Sequence, residues 1–504
     1  MPECAKISFL TSPRFLVFLN RGTDNEKGMV MSLFESGNFD DDPEDEERGK
    51  ERFDEELKKY KDMLKDGSSG ITNTEALEEI VSYYFENEKY EDALHFVNQL
   101  LILVPYSADT WQRKGLILHN LGKYAEAIEC LDKALSLNPV DPELLISKGI
   151  TLDDTGKVEE AMTFFERALE IDPTNEEALF NKGISLEKLN RYDDAIVIFR
   201  FIVDNNPEHR DGWYELGYCY DYRDRLEESL FCYTRHLDLD PYNHNGWYNR
   251  GIVLNRMLRY NQAIESYDMA LAILEKFPAA WYNKGNAYAN MGRLHDAIGC
   301  YHETLRLDDK DVPAWHNLGN AYEELAEYEK AIAAFTQAIK LDPQHYESFF
   351  GRGSCYDAIE VFRKALTDYN KALSICKDYP EIWYAKADLL YNMGRMRESL
   401  ISYRMVTKLE PMNFEAWLDY GETLFELGYL KQALKSFDRA IEANPKSADT
   451  YYSRAKVLLV LNRTFEALES LKNSFQLDPD KRKHFDQEFP GVRSIREFKA
   501  LLRK

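Results

Sequence analysis

The hydrophobic pattern of this chain repeats every 34 residues. In each 34-residue unit, apolar and small residues at positions 4, 7, 8 and 11 fall on one face of a helix. A polar or glycine-containing break follows near positions 14 to 17, as in Asn120-Leu121-Gly122-Lys123, and a second apolar stretch comes after it. The pattern therefore predicts two helices per unit.

The tryptophans set the register of this repeat. With tryptophan at position 4, the frame runs over residues 74–481 as twelve units without insertion or deletion. Position 20 is small in every unit, while position 8 is glycine in nine units and position 32 is proline in nine. Small residues let two helices approach closely, and proline ends the second helix. All seven tryptophans lie at position 4: Trp111, Trp213, Trp247, Trp281, Trp315, Trp383 and Trp417.

Position 34 supplies the expected helix starts. Serine, aspartate and asparagine side chains accept hydrogen bonds from the unpaired amides of a first helical turn. Seven units carry such a residue there: Ser107, Asp141, Asn175, Asn243, Asp311, Asn413 and Ser447.

These positions resemble the tetratricopeptide repeat family, whose pattern has Trp at 4, Leu at 7, Gly at 8, Tyr at 11, Ala at 20, an aromatic at 24, Ala at 27 and Pro at 32. The resemblance implies an all-α, right-handed superhelical solenoid, with the first helices lining its concave side. Glu275, Asp309 and Lys377 replace the proline, and Ile202 and His236 replace the position-27 alanine, so we expect altered packing there. The unit that matches best carries Trp315, Leu318, Gly319, Tyr322, Ala331, Phe335, Ala338 and Pro343.

The segments outside the array are short. Residues 1–73 are predicted to be an acidic, largely disordered segment with a short helix, and Pro13 and Arg14 interrupt the apolar stretch of residues 7–20, which argues against a signal peptide. Residues 482–504 are predicted to form a capping helix that begins at a capping box, Ser494-Ile495-Arg496-Glu497. Its apolar face would be Ile495, Phe498, Leu501 and Leu502.

Composition narrows the class of protein. No apolar run is long enough to cross a membrane, and the seven cysteines form no CxxC pair, which favours a reducing, cytoplasmic location. The sequence has no metal-spaced Cys/His cluster, no nucleophile motif and no phosphate-binding loop. We therefore predict a protein that is not an enzyme and that has no cofactor and no metal.

Two rows of side chains on the first helices are candidate peptide contacts. Position 6 carries Asn181, Asn249, Asn283 and Asn317, with Asn286 and Asn320 at position 9. Amides can pair with the backbone of an extended peptide, as in the similar asparagine ladder of O-linked N-acetylglucosamine transferase, or they can be ordinary polar surface residues. Position 5 is aromatic in seven units, including Tyr214, Tyr248 and Tyr282, and these rings can contact a partner or pack against the neighbouring helix.

Charge indicates the kind of partner. The chain has a net charge of −25, and positions 2, 5, 6, 9, 12 and 13 hold 24 acids but only four bases, Arg113, Lys188, Arg256 and Lys456. We predict a scaffold for an extended, basic polypeptide, centred on units six to eight, that binds neither nucleic acid nor membranes. The alternatives are an assembly protein that self-associates through its convex face or its ends, and a regulatory subunit of a separate enzyme. The oligomeric state stays open.

Overall fold

A computed structural model describes residues 73–489 and Phe498, and in this part of the chain all regular structure is helical. The chain forms two compact units, here the N-terminal unit (residues 1–275) and the C-terminal unit (residues 276–504). The helices of the N-terminal unit are α1 (Thr74–Glu86), α2 (Tyr90–Leu103), α3 (Ala108–Asn120), α4 (Tyr124–Leu137), α5 (Pro142–Asp154), α6 (Val158–Ile171), α7 (Glu176–Lys188), α8 (Tyr192–Asn205), α9 (Arg210–Tyr222), α10 (Leu226–Leu239), α11 (His244–Arg256) and α12 (Tyr260–Ile273).

The C-terminal unit continues the same alternation of helices and ends with a shorter one. They are α13 (Pro278–Asn290), α14 (Leu294–Leu307), α15 (Val312–Glu324), α16 (Tyr328–Leu341), α17 (Tyr346–Ala358), α18 (Phe362–Ile375), α19 (Pro380–Asn392), α20 (Met396–Leu409), α21 (Phe414–Glu426), α22 (Leu430–Ala443), α23 (Ala448–Val460), α24 (Thr464–Leu477) and α25 (Asp480–Glu488). From α1 to α24, each repeat is a first helix of 13 residues packed against a second helix of 14 residues.

The glycine at position 8 allows the two helices of a repeat to pack closely. The aromatic ring at position 24 of the second helix lies directly against the backbone of the first. A Cβ added to Gly319 would come within 2.6 Å of the Phe335 ring, and one added to Gly251 would come within 2.5 Å of the Tyr267 ring. A side chain at position 8 would therefore displace the ring. The glycine that recurs at this position in the sequence predicted this close approach of the two helices.

The predicted helix starts are confirmed. All seven position-34 side chains accept a backbone N–H of the helix that follows; Asp141, for example, accepts from the amides of Glu143 and Leu144. His209 and His345 do the same through Nδ1, which the sequence did not indicate. Each cap satisfies an amide that would otherwise lack a partner, so the first helices begin in a fixed register.

The tryptophans are not core residues, because each of them is half-buried. In six of them the indole N–H donates to the carbonyl six residues earlier, at position 32 of the preceding repeat. Trp315 and Trp383 make this bond to Asp309 and Lys377 at 2.9 and 2.8 Å, although neither acceptor is a proline. The tryptophan bond therefore survives both replacements, because it uses a backbone carbonyl that every residue has. At Lys377 the turn before the next helix does change, because Tyr379 supplies no side-chain cap to α19.

The position-27 replacements do change the packing. His236 is buried, its Nδ1 lies 2.9 Å from the Arg210 carbonyl, and its ring packs against Gly246. A Cβ on Gly246 would meet the His236 ring at 2.8 Å, so a larger residue at position 27 is matched by glycine at position 3 of the next repeat. A Cβ on Gly212 would lie 3.4 Å from Ile202, an ordinary contact, so the match is weaker at that junction.

The predicted fold class, an all-α array of tetratricopeptide-type helix pairs, is confirmed. The predicted N-terminal segment and the capping box lie outside the described residues, as does most of the predicted capping helix. Within the described part, α25 follows the last helix pair. The ring centroid of Phe485 on α25 lies 6.2 Å from the ring centroid of the buried Phe498.

Candidate functional site

The predicted asparagines of the N-terminal unit are engaged within the fold. Asn181 is buried and donates to the Glu177 carbonyl at 2.8 Å, one turn earlier on its own helix. Asn249 is half-buried and donates to the Tyr214 hydroxyl at 2.8 Å. The second bond joins two repeats, because position 6 of one first helix lies beside position 5 of the preceding one.

A more extensive amide network lies in the C-terminal unit. Asn317 is only 2% exposed, and its amide donates to the Tyr282 hydroxyl and to Asn286 Oδ1, both at 2.9 Å. Tyr301 also donates to Asn286 Oδ1, and Asn320 lies 3.1 Å from His316 Nε2. The expectation of a surface row of amides is wrong for these residues, since inter-repeat packing buries them.

Among the predicted asparagines, Asn249 and Asn283 keep part of their side chains at the surface. Of the tyrosines, Tyr248 and Tyr282 are buried and Tyr214 is half-buried, so packing against neighbouring helices accounts for most of the aromatic row. Contact of these side chains with a peptide stays a prediction.

Two position-12 acids of the N-terminal unit, Asp153 and Asp221, have basic partners. Asp153, at position 12, pairs with Lys188 and accepts from the Ser185 hydroxyl at 2.8 Å. Asp221, at the same position two repeats later, pairs with Arg256. In both cases the base lies 35 residues after the acid, at position 13 of the next first helix. All four bases counted in the sequence therefore pair with acids of the chain, because Arg113 pairs with Asp109 at 3.1 Å and Lys456, in the C-terminal unit, pairs with Glu488 at 3.3 Å.

Four acids of the C-terminal unit differ in this respect. Glu323, Asp357, Asp388 and Asp419, here called the carboxylate row, lie one per repeat on α15, α17, α19 and α21. Among the residues that the structure describes, no lysine, arginine or histidine nitrogen lies within 4.0 Å of their carboxylate oxygens. The carboxylate row, which takes up positions 12, 12, 9 and 6 of its four repeats, therefore has no basic partner in the described fold.

Burial changes the protonation of this row. It raises the pKa of Glu323 to about 7 and those of Asp388 and Asp419 to about 6, and it raises the pKa of Asp357 as well. Hydrogen bonds from the Tyr403 hydroxyl to Asp388 and from the Tyr384 hydroxyl to Asp419 oppose these shifts. Two of the four carboxylates thus receive a tyrosine hydrogen bond but lack a cation.

The carboxylate row was not identified from the sequence, which centred the site on units six to eight. The acids of the first helices were counted together. Whether a given position-12 acid is neutralised within the chain depends instead on whether position 13 of the next repeat carries a base. Spacing of 35 residues was the available signal: Lys188 and Arg256 follow Asp153 and Asp221, but Ala358 follows Glu323 and Asn392 follows Asp357.

The described residues show neither a metal-binding cluster nor a helix that could cross a membrane. They contain no group of three or more His, Cys, Asp or Glu side chains placed to hold a metal ion. In the same residues, no helix combines the length and the apolar character that crossing a bilayer requires.

Comparisons with known proteins identify the repeat. Residues 267–488 match the family described as cilia and flagella-associated protein 70 C-terminal domain. Tetratricopeptide repeat families match residues 80–146, 142–175, 164–197 and 211–243. A search of curated proteins finds no match.

Several solved structures are similar to the chain at low identity. YrrB, described as a TPR protein with an unusual peptide-binding site, is 23% identical over 36% of this chain and 93% of its own, with a TM-score of 0.34. The Cut9–Hcn1 hetero-tetramer of the APC/C matches at 13% identity over 81% of this chain and 94% of its own, with a TM-score of 0.37. MamA matches at 22% identity over 34% of this chain and 92% of its own, with a TM-score of 0.32.

Proposed function

The chain belongs to the tetratricopeptide repeat family, and from this we propose that it is a non-enzymatic protein-interaction scaffold that binds a basic, extended polypeptide along the carboxylate row. The single observation that carries the proposal is the absence of a basic partner for four part-buried carboxylates on successive first helices of the described fold. Part-buried carboxylates without a counter-ion are costly to ionise, and an incoming lysine or arginine relieves that cost.

Geometry favours an extended partner. Packed helices lie about 8–10 Å apart, and an extended chain advances about 3.3 Å per residue. One basic residue in roughly every three therefore meets one carboxylate per repeat. We further propose that Asn249 and Asn283, the two half-buried asparagines, contact the backbone of a partner in their own units, while the buried asparagines hold neighbouring first helices in register.

The test removes charge from the row without changing shape. We expect Asp388→Asn/Asp419→Asn to weaken binding of a synthetic peptide with lysine at every third position by about 100-fold, because a hydrogen-bonded charge pair contributes about 1.5–3 kcal/mol. Fluorescence anisotropy measures the affinity. The matched control is Glu329→Gln/Glu469→Gln, which removes two exposed acids from the second helices α16 and α24 of the same unit.

A second peptide with the same composition but with its lysines clustered at one end separates spacing from net charge. We expect it to bind more weakly than the evenly spaced peptide. If the two double variants lose affinity equally, general electrostatic attraction explains the binding and the carboxylate row is not the site.

A further inference from the structure

Position 7 of the first helix departs from the family pattern. The family has leucine there, whereas this chain carries a base in eight of the eleven repeats from repeat two to repeat twelve. The bases are Lys114, Lys148, Lys182, Arg250, Lys284, Arg352, Lys386 and Arg454, and the other three residues are Leu216, Leu318 and Tyr420.

Five of the position-7 bases contact the preceding repeat at its position 25, sixteen residues earlier. Lys182 Nζ lies 3.1 Å from Glu166 Oε1, and Lys148 pairs with Asp132. Arg454 Nε donates to Asp438 Oδ1 at 2.7 Å. Charge at position 7 therefore joins consecutive repeats in both units.

The three arginines make a second contact within their own repeat, at position 23. Arg250 donates to the Ser266 hydroxyl at 2.7 Å, and Arg454 donates to the Ser470 hydroxyl at 2.6 Å. Arg352 donates to both oxygens of Asp368, at 2.7 and 2.8 Å. Each arginine thus connects the second helix of the preceding repeat to the second helix of its own.

Among the repeats that are followed by another repeat, position 25 is basic at three places, and these are the places where position 7 of the next repeat is not. Arg200 precedes Leu216, His302 precedes Leu318 and Arg404 precedes Tyr420, always sixteen residues apart. Leu216 and Leu318 are 2% and 1% exposed, so these junctions are apolar. In the sequence, no two consecutive repeats have a base both at position 25 of the first and at position 7 of the second.

The arrangement has its own period. From repeat five, position 7 reads Leu, Arg, Lys, then Leu, Arg, Lys, then Tyr, Arg, a period of three repeats. We propose that positions 25 and 7 form a pairing code that fixes which repeats stack on each other, in modules of three repeats. A second helix with a base at position 25 accepts a first helix with an apolar or aromatic residue at position 7 and repels one with a base.

The physical need for such a code follows from the similarity of the repeats. A chain of near-identical helix pairs can misassemble by skipping a repeat during folding. Apolar surface alone does not distinguish the neighbours, but like charges at one junction raise the free energy of the wrong stack. The code therefore adds specificity where hydrophobic packing supplies most of the stability.

Deleting single repeats of equal length tests the code. Deletion of residues 414–447 brings Arg404 to the junction with Arg454, two bases. Deletion of residues 346–379 brings Thr336 to the junction with Lys386, an allowed pair. We expect the first deletion to have a Tm lower than the second by about 2–4 °C, as measured by circular dichroism.

The rescue variant makes the result specific. Arg404→Asp in the 414–447 deletion recreates the pair formed by Asp438 and Arg454, so we expect it to restore the Tm of the matched deletion. The same substitution in the full chain, where Tyr420 is the neighbour, is expected to change the Tm little. Equal Tm values for the two deletions, or no rescue, would overturn the code.

If either deletion variant does not fold, point variants in the full chain decide. Leu216→Lys sets a base against Arg200, and we expect it to lower the Tm. Adding Arg200→Asp is expected to recover most of the loss, since Lys148 and Asp132 show this pair at an equivalent junction. A double variant no more stable than Leu216→Lys alone would contradict the proposal.

Discussion

The N-terminal and C-terminal units use the same repeat position in opposite ways. In the N-terminal unit, Asp153 and Asp221 at position 12 each have a base from the next repeat. In the C-terminal unit, Glu323 and Asp357 at position 12 have no such base among the described residues. The paired helices of the repeats have the same lengths in both units, so the difference at position 12 is one of charge and not of fold.

This comparison shows which charges the fold requires. The repeat is held by glycine and aromatic packing, by caps and by the tryptophan bond to the preceding repeat, and all of these occur in both units. The residue at position 12 takes no part in these contacts. A carboxylate there can be neutralised within the chain, where it joins two repeats, or left for a partner to neutralise.

The largest effect is expected from removing a base in the N-terminal unit. Lys188→Met leaves Asp153, 8% exposed, with only the Ser185 hydroxyl as a short-range partner. Breaking a buried pair is strongly destabilising, and because Lys188 is one-third exposed we expect a loss of about 2–3 kcal/mol in the free energy of unfolding. Urea denaturation followed by circular dichroism measures it.

The control for this variant is Lys157→Met, which removes an exposed lysine that pairs with the exposed Glu160. Its expected loss is about 0.5 kcal/mol or less, because surface ion pairs contribute little. Similar losses in the two variants would mean that the buried pair has no special role in the N-terminal unit.

The second prediction gives the C-terminal unit the pairs that it lacks. Ala358→Lys and Asn392→Lys place a base 35 residues after Glu323 and Asp357, the spacing of the native pairs. We expect the double variant to bind the evenly spaced lysine peptide about tenfold more weakly, roughly 1.4 kcal/mol, because two of the four carboxylates are then neutralised.

The matched control keeps the added charge but moves it off the row. Glu329→Lys raises the net charge by two, as the double variant does, on the exposed face of α16. If this control weakens binding as much as Ala358→Lys/Asn392→Lys, the position of the new charge does not matter, and the comparison between the units has no bearing on binding.

These variants also show what the sequence could and could not predict. The caps at Asp141 and Ser107 and the close approach at Gly319 depend on residues that are near in sequence or fixed by the repeat, so the pattern predicted them correctly. The burial of Asn317 depends on how first helices of successive repeats pack, which a one-dimensional pattern does not contain.

The position of the candidate site could not be predicted for a related reason. An acid count treats Asp153 and Asp388 alike, but Lys188 neutralises the first, and no base lies within 4.0 Å of the second in the described structure. Whether a carboxylate is available depends on contacts 31 to 35 residues away, where side-chain reach decides the partner. The repeat pattern therefore predicted the helical scaffold accurately. For the charges it predicted the total, but not which acids have a basic partner.

The smallest expected effect is on how the free energy of unfolding depends on pH, and it tests the carboxylate row without a ligand. Burial is the main cause of the raised pKa of Asp388 and Asp419, about 6 in the folded chain against an ordinary value near 3.8. Between these two pKa values the folded state binds more protons than the unfolded state, so the free energy of unfolding rises as the pH falls from about 7 to about 5. We expect a gain of about 1 kcal/mol, reduced from the nominal shift because both groups are part-exposed.

Urea midpoints measured across this pH range provide the test, and Asp388→Asn/Asp419→Asn is expected to flatten the dependence. The paired acids of the N-terminal unit supply the contrast: Asp153→Asn would leave Lys188 only the more distant Asp154, at 3.8 Å, and we expect it to lower the urea midpoint. A pH dependence that stays the same in Asp388→Asn/Asp419→Asn would show that these carboxylates are already neutralised in the folded protein. The row would then be no more available to a cation than its paired counterparts.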